Sequence, residues 1–135
     1  RRIVKLGDLG VAARLERPND MARSAVGTPL YMSPEVCCGR PYSAASDAWA
    51  LGCVAYEAAA GGRRAFEAAG MAQLVVAVVR AEYAPVPSRL SRRFAALVAS
   101  LLRPEPSERP TPAQLLEGNA YVRRHADRLL QQGPP

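Results

Sequence analysis

The chain has 135 residues and a formal net charge of +6 at neutral pH. This length suits one domain, and 49% hydrophobic with 22% charged residues excludes the low-hydropathy composition of a disordered protein. No apolar run reaches the roughly 18 residues that a membrane-spanning helix requires, so we expect no association with a membrane.

The chain has three cysteines, Cys37, Cys38 and Cys53. Their number is odd and two of them are adjacent, so they suggest neither a disulfide framework nor a C-x-x-C zinc site. Reduced thiols are typical of intracellular proteins, and we therefore expect a cytoplasmic protein.

Arginine accounts for all but one of the 18 cationic residues. A basic chain can bind nucleic acid or an acidic partner. Because no aromatic residues alternate with the arginine pairs, as a single-strand binder would need, solvated helix faces are the favoured interpretation. We expect no nucleic-acid partner.

The first segment of the chain, residues 3–6, is rich in β-forming residues and ends at Gly7, Asp8 and Gly10. It therefore predicts a short strand that leads into a turn. Residues 11–31 show no periodicity and form a loop of about 20 residues, a length that is usually functional or disordered.

Two helices are predicted next. Ser33 is a candidate N-cap with Pro34 at the first helical position, and Gly39 ends this short helix. Residues 46–60 are apolar on nearly every side, which predicts a helix that is buried all round and ends at Gly61 and Gly62.

Four further helices complete the chain. Apolar residues at helical spacing predict an amphipathic helix over 71–81, and Ser91 caps another that ends before Pro104. A third helix surrounds Leu115 and Leu116, a fourth covers 121–130, and residues 132–135 form a frayed tail. The predicted fold class is mainly α: a helical bundle around one buried central helix, with a short β-strand remnant at the N-terminus.

Four segments, in their order and spacing, resemble the catalytic domain of protein kinases. They are the strand and turn at 4–10, the run at 27–35 that ends in Ser-Pro-Glu, the run Asp-Ala-Trp-Ala-Leu-Gly-Cys at 47–53, and Glu-Arg-Pro at 108–110. They are similar to the Asp-Phe-Gly metal loop, the Ala-Pro-Glu end of the activation segment, the central-helix signature and the late arginine motif. The resemblance implies a partial protein kinase domain over residues 1–131.

Within protein kinases the chain is most similar to the NIMA-related serine/threonine kinases, through residues 65–68 and 27–35, apart from Leu30 where a second Tyr is more usual. The resemblance implies transfer of the ATP γ-phosphoryl group to Ser or Thr of protein substrates, with ATP and Mg²⁺ as cofactors. It also implies a cytoplasmic enzyme with cytoskeletal association.

The resemblance gives a role to each residue of the first two motifs. Asp8 is the Mg²⁺ ligand, although Asp-x-Gly is also a common plain turn, and Gly10 lets the backbone turn. Thr28 bonds the catalytic Asp and favours hydroxyl amino-acid substrates. The substrate pocket is lined by Pro29, Leu30 and Tyr31, which could instead simply shape a turn.

Ser24 lies where these kinases often have an activating phosphosite. Phosphate there would add about −1.5 to −2 charge for arginine partners, supplied by an activating kinase or by autophosphorylation. An ordinary exposed loop serine is the alternative.

The remaining motif residues have structural roles in the family. Glu35 and Arg109 are expected to form a buried ion pair, and Trp49 to lie in the core. Asp47 accepts backbone hydrogen bonds from the catalytic loop in kinases, but it could also merely favour the positive end of the helix dipole. His125 is expected at the surface.

The sequence contains no glycine-rich phosphate loop, no His-Arg-Asp triplet and no lysine besides Lys5. We therefore expect the chain alone to be inactive, and to be partly molten or self-associating because part of its central helix lacks cover. Two functions remain open: part of a working kinase, or a truncated or pseudokinase-type binding module. The intact Asp8, Thr28, Glu35 and Arg109 favour the first.

Overall fold

A computed structural model describes Gly7 and residues 29–131 of the chain. These residues form six α-helices and two short 3-10 turns, and they include no strand: the 3-10 turns are Pro29–Tyr31 and Pro106–Glu108, and the helices are α1 (Pro34–Cys37), α2 (Ala44–Ala59), α3 (Met71–Val79), α4 (Arg92–Leu101), α5 (Pro112–Gly118) and α6 (Ala120–Gln131). The mainly α architecture is confirmed. The predicted strand at 3–6 and the tail at 132–135 lie outside the described residues.

Local sequence signals explain where α1 and α2 begin. Ser33 is the extended N-cap residue of α1, and Pro34 takes its first position, as predicted. Helix α2 begins two residues earlier than expected because Ser43 caps it. The backbone N–H of Ser43 donates to Oγ of Ser46 at 3.3 Å, and the hydroxyl of Ser43 accepts from the backbone N–H of Ala45 at 3.3 Å.

Glycines end both helices. Gly39 follows α1 with a φ of 68°, and Gly61 and Gly62 follow α2 with φ values of 72° and 88°. A residue with a Cβ is strained in this left-handed region, whereas glycine enters it freely. The predicted ends of both helices are therefore confirmed, with α2 stopping at Ala59.

Helix α2 lies at the centre of the bundle with one side buried. Trp49, Cys53 and Tyr56 share that side at helical spacing, and each is at most 1% exposed. On the other side Leu51 and Val54 are 51% and 54% exposed. The expectation that α2 is buried all round is therefore wrong for this side of the helix, where Ala58 is exposed as well and no described segment packs over the three residues.

The main core is built around an aromatic cluster. The rings of Trp49 and Phe66 stack at 5.3 Å with an angle of 8° between their planes. Tyr83 packs edge-on against Phe66 and against Tyr56, each at 5.7 Å. Offset stacking and edge-to-face contacts are the favourable aromatic geometries, so this cluster holds α2 against the segments that follow it.

Helices α3 and α4 follow the predicted pattern with differences at the ends. Leu74 and Val78 of α3 are buried, whereas Met71 is 59% exposed. Helix α3 ends at Val79, two residues before the predicted end. Helix α4 packs against α2 through the predicted apolar face, and its cap is formed as expected, since the hydroxyl of Ser91 accepts from the Phe94 N–H at 3.2 Å.

Gly52 of α2 faces the end of α4 and the residue that follows it. A Cβ at this position would lie 2.8 Å from Cδ2 of Leu102 and 2.9 Å from Cβ of Leu101. Contacts under 3 Å require Leu101 or Leu102 to shift, so any residue with a Cβ is overpacked at this position.

We predict that Gly52→Ala lowers the free energy of unfolding by about 1–3 kcal/mol, because overpacking outweighs the roughly 0.5–1 kcal/mol that Ala contributes as a helix former. Gly118→Ala is the matched control, since a Cβ there meets nothing within 4 Å. Urea unfolding of both variants measures the difference. A Gly52→Ala chain as stable as the parent would show that the two helices pack less closely than described.

Among residues 29–131, no helix combines the length and the apolar character needed to cross a bilayer.

Candidate functional site

A buried ion pair joins α1 to the loop before α5. Nη1 of Arg109 donates to Oε1 of Glu35 at 2.8 Å, and Nη2 donates to Oε2 at 2.7 Å. Glu35 is 3% exposed and Arg109 is 4% exposed, although 74 residues separate them in sequence. This bidentate geometry is the strongest arrangement of a guanidinium with a carboxylate. The two residues that the sequence predicts to pair are thus brought together.

Arg109 uses the rest of its donors on backbone carbonyls. Nε donates to the carbonyl of Arg103 at 2.7 Å, Nη2 to that of Pro104 at 3.0 Å, and Nη1 to that of Ala45 at 2.8 Å. Its guanidinium also lies over the Trp49 ring, 5.1 Å from the centroid. One side chain therefore connects α1, the first turn of α2 and the loop after α4.

Glu35 has a second hydrogen-bond donor in α2. The hydroxyl of Ser46 donates to Oε1 of Glu35 at 2.6 Å. Burial favours the neutral form of Glu35, but the hydrogen bonds from Arg109 and Ser46 outweigh it and lower the pKa from 4.5 to about 2. Glu35 is therefore a carboxylate throughout the physiological pH range. The role of Ser46 was not predicted, because nothing in its sequence context distinguishes it from Ser43.

The lowered pKa of Glu35 predicts a specific acid sensitivity. A carboxyl whose folded pKa is below its unfolded pKa stabilises the fold fully above about pH 4.5, and this stabilisation is lost as the pH falls towards about 2. We expect Glu35→Gln to remove that part of the pH dependence.

Urea unfolding at about pH 7, 4.5 and 3 measures this effect. Glu117→Gln is the control, because it removes one negative charge from an exposed position. If the free energy of unfolding of Glu35→Gln falls as steeply as that of the parent between about pH 4.5 and 3, the assignment of this acid sensitivity to Glu35 is wrong.

The turn Pro29–Tyr31, which the sequence assigns to a substrate pocket, lies against α2. Leu30 and Tyr31 pack onto the main core. Oη of Tyr31 donates to Oε2 of Glu57 at 2.7 Å, and this hydrogen bond, with burial, raises the pKa of Tyr31. The contact fixes the turn at a second point besides the ion pair. Sequence inspection could not find it, because Glu57 belongs to no motif.

Asp47 lies in the first turn of α2, and its carboxylate is exposed. It has no hydrogen-bond partner among residues 29–131, while partial desolvation raises its pKa. Both roles considered for Asp47, at the positive end of the helix dipole and as an acceptor for the catalytic loop, stay predictions. Trp49 is fully buried, and His125 is exposed with Nδ1 at 2.8 Å from the carbonyl of Tyr121.

Four of the predicted site residues, Asp8, Gly10, Ser24 and Thr28, lie outside the described residues. Their roles stay predictions from the sequence. Within the described part of the chain no group of three or more His, Cys, Asp or Glu side chains could hold a metal ion.

Sequence comparison identifies the family to which the chain belongs. The sequence model of the family described as protein kinase domain matches residues 1–120. The chain belongs to the protein kinase domain family.

Several curated serine/threonine-protein kinases are similar to this chain. Identity is 40% over 129 residues to Nek4 of Mus musculus, covering 96% of this chain and 16% of Nek4. It is 45% over 121 residues to Nek8 of Danio rerio, covering 90% and 17%. It is 37% over 115 residues to Nek5 of Homo sapiens, covering 85% and 16%. The resemblance to NIMA-related kinases is thereby confirmed, and the chain spans 16 to 17% of the length of these relatives.

Proposed function

We propose that this chain is the C-terminal part of a NIMA-related catalytic domain that transfers the ATP γ-phosphoryl group to Ser or Thr of protein substrates. The observation that supports this most strongly is the bidentate Glu35–Arg109 pair, in which Glu35 is 3% exposed and Arg109 is 4% exposed. It joins the Ser-Pro-Glu motif to the Glu-Arg-Pro motif, two segments that the family uses together.

The pair positions the segment where a protein substrate would bind. With Glu35 held against α2, and Tyr31 bonded to Glu57, the end of the turn at 29–31 that leads into α1 is fixed at two points. Phosphoryl transfer depends on positioning and charge stabilisation more than on covalent chemistry. A rigid turn would present the residue beside the phosphoacceptor in one orientation, with Pro29, Leu30 and Tyr31 as the pocket.

Asp8 would hold Mg²⁺, which supplies positive charge that neutralises the phosphates of ATP when it is bound. Gly10 would allow the turn that presents this carboxylate. Thr28 would bond the catalytic Asp and select hydroxyl amino-acid substrates. In this proposal residues 1–131 are one partial kinase domain, and the catalytic base comes from residues outside this chain.

Ser24 is the proposed regulatory site. Its phosphorylation, by an activating kinase or by the enzyme itself, would add negative charge to the loop at 11–31, where Arg14 and Arg23 would be its local partners. The family resemblance also supports a cytoplasmic location with cytoskeletal association.

A chimaeric domain tests the proposal. Residues 1–131 would replace the matching part of the Nek4 catalytic domain, with which the chain is 40% identical. We expect this chimaera to phosphorylate a Ser/Thr peptide in the presence of ATP and Mg²⁺, and the 135-residue chain alone to show no transfer.

In the chimaera, Asp8→Asn is expected to lower the rate of phosphoryl transfer by at least about 100-fold. The reason is that Mg²⁺, which would stabilise the developing charge, loses one of its ligands. Asp127→Asn, which changes an aspartate of α6 outside every motif, is the matched control and should keep the parent rate. A chimaera that folds but is no more active than its Asp8→Asn form would support the binding-module alternative instead.

A further inference from the structure

Two adjacent free thiols lie at the end of α1, immediately after the site. Cys37 is the last residue of the helix and is half-buried, whereas Cys38 is its C-cap and is exposed. Cys53, the third cysteine, is 1% exposed inside the core. The described residues therefore offer one accessible thiol with a second beside it.

We propose that Cys37 and Cys38 form a reversible thiol–disulfide switch that reacts with a low-molecular-weight disulfide such as oxidised glutathione. The proposal concerns the two thiols alone and holds whether or not the chain transfers phosphate.

The exposure of the two residues sets the order of the steps. The Cys38 thiolate attacks one sulfur of the oxidant; the oxidant's S–S bond breaks, and one small thiol leaves after taking up a proton. Cys37 then loses its proton to solvent and attacks the Cys38 sulfur of the mixed disulfide, which releases the second small thiol. Overall two cysteine thiols are oxidised to one disulfide, and the oxidant is reduced to two thiols.

The second step is expected to be the slower one. Burial, with the neighbouring Cys38 and Glu35, raises the pKa of Cys37, so little of its thiolate exists at neutral pH. Cys37 also packs against the main core and must leave it to reach Cys38. A mixed disulfide on Cys38 should therefore appear first and then disappear.

A disulfide between Cys37 and Cys38 cannot form while the end of α1 keeps its helical geometry. Consecutive helical residues project about 100° apart, and adjacent Cα atoms lie about 3.8 Å apart, below the usual span of a disulfide. Two backbone bonds fix the helical form: the Cys37 N–H to the Ser33 carbonyl at 2.9 Å, and the Cys38 N–H to the Pro34 carbonyl at 3.0 Å. Oxidation must break or distort them, and the strained product should be readily reduced.

Oxidation of the two cysteines would affect the Glu35–Arg109 ion pair through the backbone. The carbonyl of Glu35 accepts from the Arg40 N–H at 2.8 Å across the turn that contains both cysteines. Unwinding this turn would loosen one side of the segment that Arg109 holds. The two thiols thus form a modification site whose state is transmitted to Glu35.

Mass spectrometry after treatment of the full chain with oxidised glutathione tests the proposal. Cleavage before aspartate places Cys37 and Cys38 in the peptide 20–46 and Cys53 in the peptide 47–126. We expect the first peptide to gain one glutathione and then to lose two hydrogens relative to its reduced form, with both changes reversed by dithiothreitol. The second peptide should stay unmodified.

Matched variants separate the roles of the two thiols. Cys37→Ser should retain a stable mixed disulfide on Cys38, and Cys38→Ser should lose the modification. Hydrogen exchange at the amides of residues 37 and 38 should become faster in the oxidised parent and stay unchanged in oxidised Cys38→Ser. The proposal is overturned if the parent stops at the mixed disulfide, if 20–46 does not react, or if Cys53 reacts as fast as Cys38.

Discussion

Replacing Arg109 by Met is expected to lower the free energy of unfolding by about 3–5 kcal/mol, because Glu35 would be left as an unpaired charge with 3% exposure. The substitution also leaves three backbone carbonyls, those of Ala45, Arg103 and Pro104, without their donor. Burying charged or polar groups without partners is far costlier than the pair itself is stabilising.

Changing the other partner, by Glu35→Gln, should lower the free energy of unfolding less than Arg109→Met does. Gln keeps one acceptor for the guanidinium, and Arg109 keeps its carbonyl partners. The double variant should be more stable than the sum of the two losses predicts, because each single change leaves the other partner uncompensated.

Arg80→Gln is the matched control for these measurements. Arg80 pairs with Glu82 at 3.7 Å, with their side chains 67% and 62% exposed, and surface pairs contribute at most about 1 kcal/mol. Urea unfolding at neutral pH gives all four values. Equal losses for Arg109→Met and Arg80→Gln would show that the buried pair does not hold the three segments together.

Trp49→Ala is the second substitution with a large expected effect, a loss of about 3–5 kcal/mol in the free energy of unfolding. The Trp49 ring is fully buried, stacks on Phe66 at 5.3 Å and lies under the guanidinium of Arg109 at 5.1 Å. Removing it would open a cavity beneath the ion pair as well as ending both contacts.

Leu51→Ala is its control within the same helix. Leu51 is 51% exposed, so truncating it should cost less than about 1 kcal/mol. Thermal unfolding followed by circular dichroism compares the two variants. Similar midpoints for Trp49→Ala and Leu51→Ala would contradict the orientation of α2 described above.

Apolar periodicity and capping residues were enough to predict the helices. Ser91 and Pro34 are found at the positions that helix starts favour, and Gly39 and Gly61 at the ends. The exception is the start of α2, which the apolar pattern places at Ser46, whereas in the structure Ser43 caps the helix and forms a capping box with Ser46.

The side of a helix that is buried was harder to predict. In α2 almost every residue is apolar, so periodicity cannot distinguish the face of Trp49 from that of Leu51. The difference arises from which segments pack nearby, a tertiary property that the residues of one helix do not determine. The expected self-association of the chain concerns this exposed face and stays a prediction.

The candidate site was predictable where motifs are involved and not elsewhere. Glu35 and Arg109 each belong to a motif, so their pairing could be expected across 74 residues. The partners that complete the site, the Ser46 hydroxyl and the three carbonyls, are groups that nearly every sequence contains. Their selection depends on the path of the backbone, as does the contact between Tyr31 and Glu57.

Phosphoamino-acid analysis of a mixed protein substrate, labelled by the chimaera of Nek4 with residues 1–131, tests most directly whether this chain completes a serine/threonine kinase domain. We expect phosphoserine and phosphothreonine, with no phosphotyrosine, at a level that Asp8→Asn abolishes. Labelling of tyrosine, or labelling that persists in Asp8→Asn, would contradict it.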